Sequence, residues 1–389
     1  MSVALALGLP GSVLAQGLSA PQMEALALWA PSGQREAGLR AQWEWETNAQ
    51  DGSNQSWVRQ ARLRVDAQAR QGQGTGLRLG EVWLQGEAVG AGAPRAGGSW
   101  QWRLGRQVWA WALTDTVSPG DLVNPRDATD PTRPVHRALW GGTVRWQSGA
   151  AELEALLARS EAAPLPHGAW AMPLPPGLVW AQPASPGGLL ALRARWRTAE
   201  GAEWRWVAAH GPSVAPVLSA TPNGLQAWQP RQHSLVLQAL RPLDGQSFIR
   251  AELARFWKGA NGESGGAAFT QWVLSVDREW AWGEGSVYGL LQWQDSRGER
   301  SSLGPDLRRA LDGQWLGRLQ WRGDDGRQLQ LEAVGRRGES LLRIAWIQSW
   351  AGQWETEAGW QAVEGRSGQF WHAWAVNDGA YVRLRWRGA

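Results

Sequence analysis

Arginine is the residue type that gives this chain its chemical character. The 389 residues include 39 Lys and Arg, and Lys258 is the only lysine. A guanidinium group is always charged and binds carboxylate or phosphate through paired N–H donors, so arginines in rows indicate contact with anions. Several arginines recur at every second position between apolar residues. The candidate anion-contacting residues are Arg62, Arg64, Arg193, Arg195, Arg205, Arg383 and Arg385.

A second polar group lies in one segment, Gly105 to Asp127, which reads GRQVWAWALTDTVSPGDLVNPRD. The part after Trp111 is too polar and too rich in proline for a sheet, and it predicts a folded connection. Two roles stay open: its carboxylates could bind arginines of a surrounding wall, or its Asp and Asn side chains could fix the shape of the loop. Its candidate residues are Arg106, Gln107, Trp111, Asp115, Asp121, Asn124, Pro125, Arg126 and Asp127.

The sequence predicts neither catalysis nor a metal site. There is no cysteine, and the five histidines, at 136, 167, 210, 233 and 372, have no metal-binding spacing. No nucleophile elbow or phosphate-binding loop occurs. A calcium site among the loop carboxylates would lack the EF-hand spacing. We therefore expect a non-enzyme with no cofactor and no metal. The formal net charge of only +4, without a basic block, also argues against a nucleic-acid partner.

The elements that must position these residues are strands, because apolar and polar residues alternate along most of the chain. Between Gln60 and Arg70, for example, Leu63 and Val65 alternate with Arg62 and Arg64. Turn sequences such as Gly323 to Gly326 separate such stretches and favour antiparallel hairpins. The predicted strands are 37–48, 57–70, 77–88, 99–111, 138–147, 150–159, 188–197, 202–211, 232–241, 247–257, 268–280, 286–295, 313–322, 327–335, 340–350, 353–362, 369–376 and 380–387.

Tryptophan spacing distinguishes a membrane barrel from a soluble sandwich. The chain contains 31 Trp, and the pairs Trp140 and Trp146, Trp315 and Trp321, and Trp354 and Trp360 are each six residues apart. Rings at an even spacing share one face, at opposite ends of a strand, as in the aromatic girdles of outer-membrane barrels. A soluble core would have to satisfy many indole N–H groups. The sequence predicts an all-β fold, a transmembrane antiparallel up-and-down β-barrel of 16 to 18 strands, with 18 favoured.

The ends and one connection complete the predicted organisation. Residues 1–15 read as a signal peptide, 16–36 as an N-terminal segment with a short helix near Leu18, and 37–389 as the barrel, with a long polar segment at 112–137. The location predicted is the bacterial outer membrane. The short turn at 71–76 breaks the alternation of long and short connections, so either 112–137 contains a further strand or one predicted strand is wrong.

The segment 105–127 resembles a motif of uncharacterised proteobacterial outer-membrane barrels that are related to the alginate-export porins. In that motif Gly-Arg-Gln is followed by Trp-Gly, then Asp, then Asp-x-x-Asn-Pro-x-Asp. The matching positions here are Gly105, Arg106, Gln107, Trp111, Asp115, Asp121, Asn124, Pro125 and Asp127, whereas Ala112 replaces the glycine after the tryptophan. The resemblance implies an 18-stranded barrel, the outer membrane and a transport role.

Two functional hypotheses follow. In the first, the chain is an outer-membrane channel or export porin that passes polar, mainly anionic, small solutes or polymers through an arginine-lined lumen, with the loop as a constriction. In the alternative, arginines pair with wall acids and a non-conducting scaffold barrel binds a partner of an export system through its loops. In both, the expected partners are outer-membrane lipid, lipopolysaccharide and the barrel assembly machinery, and the expected state is a monomer.

Overall fold

The protein forms one large β-sheet that closes on itself. The computed structural model describes residues 18–29, 35–48, 60–70, 74–89, 98–115, 118–127, 135–163, 179–181, 187–221, 224–258, 267–302, 306–350, 353–367 and 369–387. The sheet has 18 strands, and each pairs antiparallel with its neighbours in chain order. The first strand pairs with the second on one side and with the last on the other. The predicted antiparallel barrel fold, with the favoured strand count, is confirmed.

The first nine barrel strands come from the N-terminal half of the chain. They are β1 Leu18–Trp29, β2 Arg35–Asn48, β3 Gln60–Arg70, β4 Gly74–Val89, β5 Ser99–Gln107, β6 Leu139–Ser148, β7 Ala151–Ser160, β8 Gly187–Arg197 and β9 Glu203–Pro212.

The other nine strands follow with shorter connections. They are β10 Arg231–Pro242, β11 Ser247–Lys258, β12 Phe269–Trp282, β13 Gly285–Gly298, β14 Gln314–Arg322, β15 Arg327–Arg336, β16 Glu339–Trp350, β17 Trp354–Gly365 and β18 Gly379–Arg387.

Side chains alternate between an apolar outer face and a mixed inner face. On β8, Leu190 and Leu192 are 52% and 55% exposed, whereas Leu189 and Ala191 are buried. Exposed tryptophans lie at both ends of the outer face, as with Trp315 near the start of β14 and Trp354 at the start of β17. An exposed leucine face bounded by tryptophan is typical of strands that face lipid. Within the described residues, no helix is long and apolar enough to cross a membrane.

The helix predicted near Leu18 is wrong. Residues Leu18–Trp29 form β1, which pairs with β18 from Gln22 opposite Arg387 to Trp29 opposite Ala380. An unpaired strand edge is unfavourable in lipid, so the sheet requires this strand for closure, and that requirement outweighs local helix propensity. The register shifts between Ser19 and Gln22, around Pro21, because proline cannot donate to the ladder.

The strand predicted at 369–376 is also wrong. Phe370–Asn377 is a 3-10 helix, in which Trp371 and Trp374 are both buried. Three residues per turn place these two rings on one side of the helix, whereas a strand would place them on opposite faces. The two errors compensate each other, so the predicted count of 18 strands was correct although one strand of the set was missed and another was wrong.

Connection lengths define the two ends of the barrel. At the turn end, where β1 begins and β18 finishes, several connections are short, including 149–150, 243–246, 283–284 and 323–326. At the loop end lie 108–138, 161–186, 213–230, 299–313 and 366–378. Once β1 is counted, the short connection 71–73 falls at the loop end.

In the described part of 112–137, the only strands are Arg126–Asp127 and Val135–His136, which pair outside the barrel sheet. The predicted signal peptide, residues 1–15, lies outside the described residues.

Candidate functional site: a loop folded into the barrel

The segment after β5 crosses the inside of the barrel. It leaves the sheet at Gln107 and contacts Gln238 on β10 and Glu252 on β11 before Asp115 comes within 3.5 Å of Arg318 on β14. Strand β14 is nine strands from β5 in a ring of 18, so Arg318 belongs to the opposite wall. The predicted folded connection therefore spans the lumen.

One wall carboxylate, that of Glu252, holds this loop. Its Oε1 atom accepts hydrogen bonds from the backbone nitrogens of Leu113 at 3.1 Å and Thr114 at 2.8 Å, and from the Thr114 hydroxyl at 2.8 Å. The Ser118 hydroxyl donates to Oε2 at 2.7 Å, and the Gly120 nitrogen donates at 2.9 Å. Glu252 is 2% exposed. A buried carboxylate requires such donors, so loop and wall depend on each other.

At Gly120 the loop backbone lies directly against the side chains of the wall. A Cβ atom there would lie 2.1 Å from Nε2 of Gln238 and 2.8 Å from Oε2 of Glu252. Gln238 is itself buried and donates to the Trp111 carbonyl at 3.0 Å and to Glu252 at 3.1 Å. The glycine thus allows the loop backbone to approach the wall closely enough for its N–H group to reach the carboxylate.

Asn124 fixes the shape of the loop itself. Its Oδ1 atom accepts from the Trp109 nitrogen at 2.7 Å, and its Nδ2 atom donates to the carbonyl of Arg137 at 2.6 Å. The side chain therefore joins the outgoing and returning halves of the loop. Pro125 is buried, and its carbonyl accepts from the Arg137 nitrogen at 3.0 Å. The Asn and Pro of the motif stabilise the loop locally.

The aspartates of the motif differ in their partners. Asp121 is buried and pairs inside the loop with Arg126 at 2.8 Å and His136 at 3.5 Å. Asp115 is 41% exposed and is the described loop carboxylate that pairs with a wall arginine, Arg318. Asp127 lies in the small ladder opposite Val135. The structure therefore combines the two roles that the sequence left open.

The loop also packs through apolar residues. Trp109, Trp111, Leu122 and Val123 are each at most 4% exposed. They contact an inward apolar patch of the wall that includes Leu156, Ala158, Leu189, Ala191, Val207, Val236, Ala254, Phe256 and Phe269. Burial of large apolar side chains contributes about 1.5–3 kcal/mol each, so this packing favours the inward position of the loop. The guanidinium carbon of Arg193 also lies over the ring of Trp111, 5.2 Å from the ring centroid.

Arg106 and Gln107 hold the point at which the loop begins. Arg106 pairs with Glu161 and donates to the Leu79 carbonyl at 2.9 Å. Gln107 is fully buried, and its amide nitrogen lies 3.5 Å from the carbonyl of Arg103. Val108, the next residue, donates its backbone N–H to Glu81 at 3.2 Å. These motif residues position the loop and do not line open space.

The described wall arginines pair with wall acids. Arg193 contacts Glu152 at 3.1 Å and also Glu154 at 2.5 Å, and Arg195 contacts Glu152. The remaining predicted arginines behave in the same way: Arg205 pairs with Glu203, Arg383 with Glu357, and Arg385 with Glu355 and Glu357. Arg62 and Arg64 belong to β3, but their side chains lie outside the described part of the chain. The charge of these described arginines is largely compensated, and the arginine-lined, anion-passing lumen stays a prediction.

A cavity lies between the loop and the wall. Its volume is about 260 Å³, and the side chains around it include Arg103, Arg145, Arg193, Glu154 and Trp109. Arg145 is 37% exposed and lies 3.6 Å from Glu154. Three guanidinium groups and one carboxylate face this space, and a second carboxylate, that of Glu152, lies 3.1 Å from Arg193 and 3.7 Å from Arg145. The lining offers charged donors and an acceptor to a small polar group.

A second loop also folds inward, which the sequence did not predict. The 3-10 helix Phe370–Asn377 packs Trp371 and Trp374 against Leu316, Val334 and Leu341. Its anchor is again a buried carboxylate, Glu339, which accepts the Trp371 backbone N–H at 3.2 Å. Neither Glu252 nor Glu339 was a predicted site residue. The sequence does contain a sign that Glu252 lies at a buried contact, because the inward positions that follow it, Ala254 and Phe256, are apolar.

Comparison with known proteins supports the fold of this chain and does not show its function. No protein-family model and no curated protein sequence matches the chain. Similar solved structures include OccD3 (OpdP) of Pseudomonas aeruginosa, with 11% identity, coverage of 96% and 91% of the two chains and a TM-score of 0.53. OccK2 (OpdF) of the same species, crystallised with glucuronate, has 14% identity, coverage of 95% and 98% and a TM-score of 0.51. Wzi of Escherichia coli, described as a carbohydrate-binding β-barrel involved in capsule assembly, has 9% identity, coverage of 95% and 85% and a TM-score of 0.56.

The closed 18-stranded sheet, the lipid-type outer face and these similarities define a β-barrel of the outer-membrane type. The specific kinship with the alginate-export porins stays a prediction. In the described part of the chain, no group of three or more His, Asp or Glu side chains could hold a metal ion.

Proposed function

We propose that this protein is a channel of the bacterial outer membrane that passes polar, mainly anionic, solutes through a constriction made by the inward loop. The observation that carries the proposal is the anchoring of the loop at Glu252, with Asp115 reaching Arg318 on the opposite wall. A segment fixed across a barrel narrows the path and brings charged groups to the position that a solute must pass.

The preference for anions rests on the cavity beside the loop. Arg103, Arg145 and Arg193 face it together with Glu154, and Glu152, which contacts Arg193 and Arg145, balances part of this positive charge. OccK2, a similar structure, was crystallised with glucuronate, which is a sugar acid. A solute with one carboxylate and several hydroxyl groups would find guanidinium donors for the acid.

The further assignments belong to the same proposal. Residues 1–15 direct export, the barrel assembly machinery inserts the chain as a monomer, and lipopolysaccharide surrounds the loop end outside the cell. The loop end faces outward because the short turns of outer-membrane barrels are periplasmic. A relationship to the alginate-export porins would widen the solute class to anionic polymers.

Conductance in planar bilayers tests the channel. We expect open-channel steps and, under a salt gradient, a reversal potential on the anion side. Deletion of 112–137 should increase the conductance because it removes the constriction. A wild-type barrel that is folded and inserted but carries no current, or a cation-selective reversal potential, would contradict the proposal.

A second candidate, a non-conducting scaffold, is favoured by one observation. Two inward loops bury aromatic side chains inside the barrel, at Trp109 and Trp111 in one and at Trp371 and Trp374 in the other. Wzi, which is similar in fold, is described as carbohydrate-binding. For a scaffold we expect no current with or without residues 112–137, so the same deletion distinguishes the two functions.

A further inference from the structure

A row of polar side chains crosses three adjacent strands on the outer face near the loop end. Arg255 on β11 is the register partner of Thr270 on β12, which is the partner of Arg297 on β13. The Nη1 atom of Arg255 donates to the Thr270 hydroxyl at 3.1 Å. The guanidinium carbon of Arg297 lies 5.8 Å from the ring centroid of Trp272. Both arginines are exposed.

The row lies on the face that contacts lipid. Leu253, two residues before Arg255, is 50% exposed. Leu291, which precedes Arg297 on the same face of β13, is 48% exposed. The inward neighbours Ala254 and Phe256 are buried. Trp257, two residues beyond Arg255 on the same face, is 39% exposed. The two guanidinium groups therefore lie at the upper margin of the apolar band, among interfacial tryptophans.

An arginine at this position is stabilised by a nearby anion. An arginine on the lipid face of a barrel is destabilising in proportion to its depth, and a guanidinium in the interface is stabilised by pairing with a negative group. Within the described part of the chain, neither Arg255 nor Arg297 forms an ion pair. The nearby carboxylates contact backbone nitrogens: Asp295 accepts from Ser296 at 2.8 Å, and Glu299 accepts from Ala268 at 3.3 Å.

The turn end provides a contrast on the same outer surface. There, Arg278 pairs with Asp244 at 3.5 Å, and Arg327 pairs with Asp325 at 2.9 Å. Hydrogen bonds from the backbone of Gln246 lower the pKa of Asp244, which keeps this partner ionised. Arg278 and Arg327 therefore have carboxylate partners supplied by the protein, whereas Arg255 and Arg297 form no ion pair with any residue that the structure describes.

We propose that Arg255, Thr270 and Arg297 form a binding site for the phosphate of an acidic glycolipid in the outer leaflet. Alternate strands are about 10 Å apart, so two long guanidinium side chains can converge on one phosphate above Thr270. The exposed leucines below the row would contact the acyl chains. The inference rests on the proposed orientation, in which the loop end faces the cell exterior.

Lipid binding by the purified, folded barrel tests the site. The test variant is Arg255→Gln with Arg297→Gln, and the matched control is Arg278→Gln with Arg327→Gln, which removes two arginines from the same surface at the other end. Native mass spectrometry in detergent would measure binding of bisphosphorylated lipid A, dephosphorylated lipid A, phosphatidylglycerol and inorganic phosphate.

We expect bisphosphorylated lipid A to bind the test variant about tenfold more weakly than wild type and to bind the control normally, because each charge-assisted hydrogen bond to phosphate is strong. Dephosphorylated lipid A should not distinguish the variants. Equal binding of bisphosphorylated lipid A by the test variant and wild type would overturn the site. An equal loss with phosphatidylglycerol, or retention of inorganic phosphate alone, would overturn its assignment to a glycolipid.

Conductance of the same preparations separates this inference from the channel proposal. Both arginines of the row face away from the lumen, so the test variant should conduct like wild type. A wild-type barrel that binds lipid A but carries no current would contradict the channel and leave the lipid site intact.

Discussion

The backbone nitrogen of Thr114 lies 2.8 Å from Oε1 of Glu252, although 138 residues separate them in sequence. This hydrogen bond joins a loop that follows the fifth strand to the middle of the eleventh. The donors that converge on Glu252 include backbone N–H groups and hydroxyl groups of the loop. The carboxylate therefore determines where the loop lies in the lumen.

Glu252→Gln should release the loop. The amide has one acceptor oxygen without charge, and its NH₂ group would face donors, so several buried donors would lose their partner at about 1–3 kcal/mol each. We expect faster hydrogen exchange at residues 113–120 and increased conductance. The control is Glu357→Gln, which removes a buried wall carboxylate that holds Arg383 and Tyr381. Unchanged exchange at 113–120 in Glu252→Gln would show that the apolar contacts alone hold the loop.

Gly120→Ala should displace the same loop through a steric clash. Its Cβ would overlap Nε2 of Gln238 at 2.1 Å. Gly188→Ala is a suitable control, because a Cβ at that position has nothing within 4 Å. We expect a conductance change only for Gly120→Ala, with similar heat-modifiable gel migration for both variants. If the two variants conduct alike, the fit around Gly120 does not govern the loop position.

Asn124→Asp should destabilise the loop nearly as much as Asn124→Ala. The carboxylate keeps an acceptor for the Trp109 N–H, but it cannot donate to the Arg137 carbonyl, and it buries a charge. The expected cost is roughly 1–3 kcal/mol, measured as reduced protection of residues 109–124 in hydrogen exchange. A near-wild-type Asn124→Asp variant would mean that the donor side of this amide is dispensable.

The loop at 299–313 should lose stability as the pH rises. Burial raises the pKa of Asp312, while hydrogen bonds from Ser296 and Arg309 lower it to a smaller extent. Because the folded-state pKa is the higher one, the folded loop binds more protons than the open loop. The stability of the folded loop therefore falls as the pH rises from the usual carboxyl pKa to the raised pKa of Asp312, and it is constant at higher pH.

Hydrogen exchange at 306–313, corrected for the intrinsic pH dependence, should show this loss in the wild type. Asp312→Asn should be largely independent of pH over the same range. Protection that increases with pH in the wild type would contradict the direction of the pKa shift.

The alternation of residue types was sufficient to predict most strands and their faces. On β8, exposed Leu190 and Leu192 and buried Arg193 lie where a period of two places them. The motif at 105–127 coincides with one of the two described loops that fold inward. One error arose because long-range pairing outweighs local pattern: β1 is a strand because the last strand needs a partner. The other arose at Phe370–Asn377, where Trp371 and Trp374 are three residues apart, a spacing that suits a 3-10 helix and not a strand.

The sequence by itself determined the barrel and its lipid-facing surface, because both follow from periodicity within one strand. Only the tertiary structure decided which groups meet inside. Glu252 resembles any other wall acid in sequence, and its role appears only when the closed sheet brings it to the donors of a loop 138 positions away. The charge balance of the lumen is likewise a property of pairs such as Arg193 and Glu154, which a one-dimensional pattern does not specify.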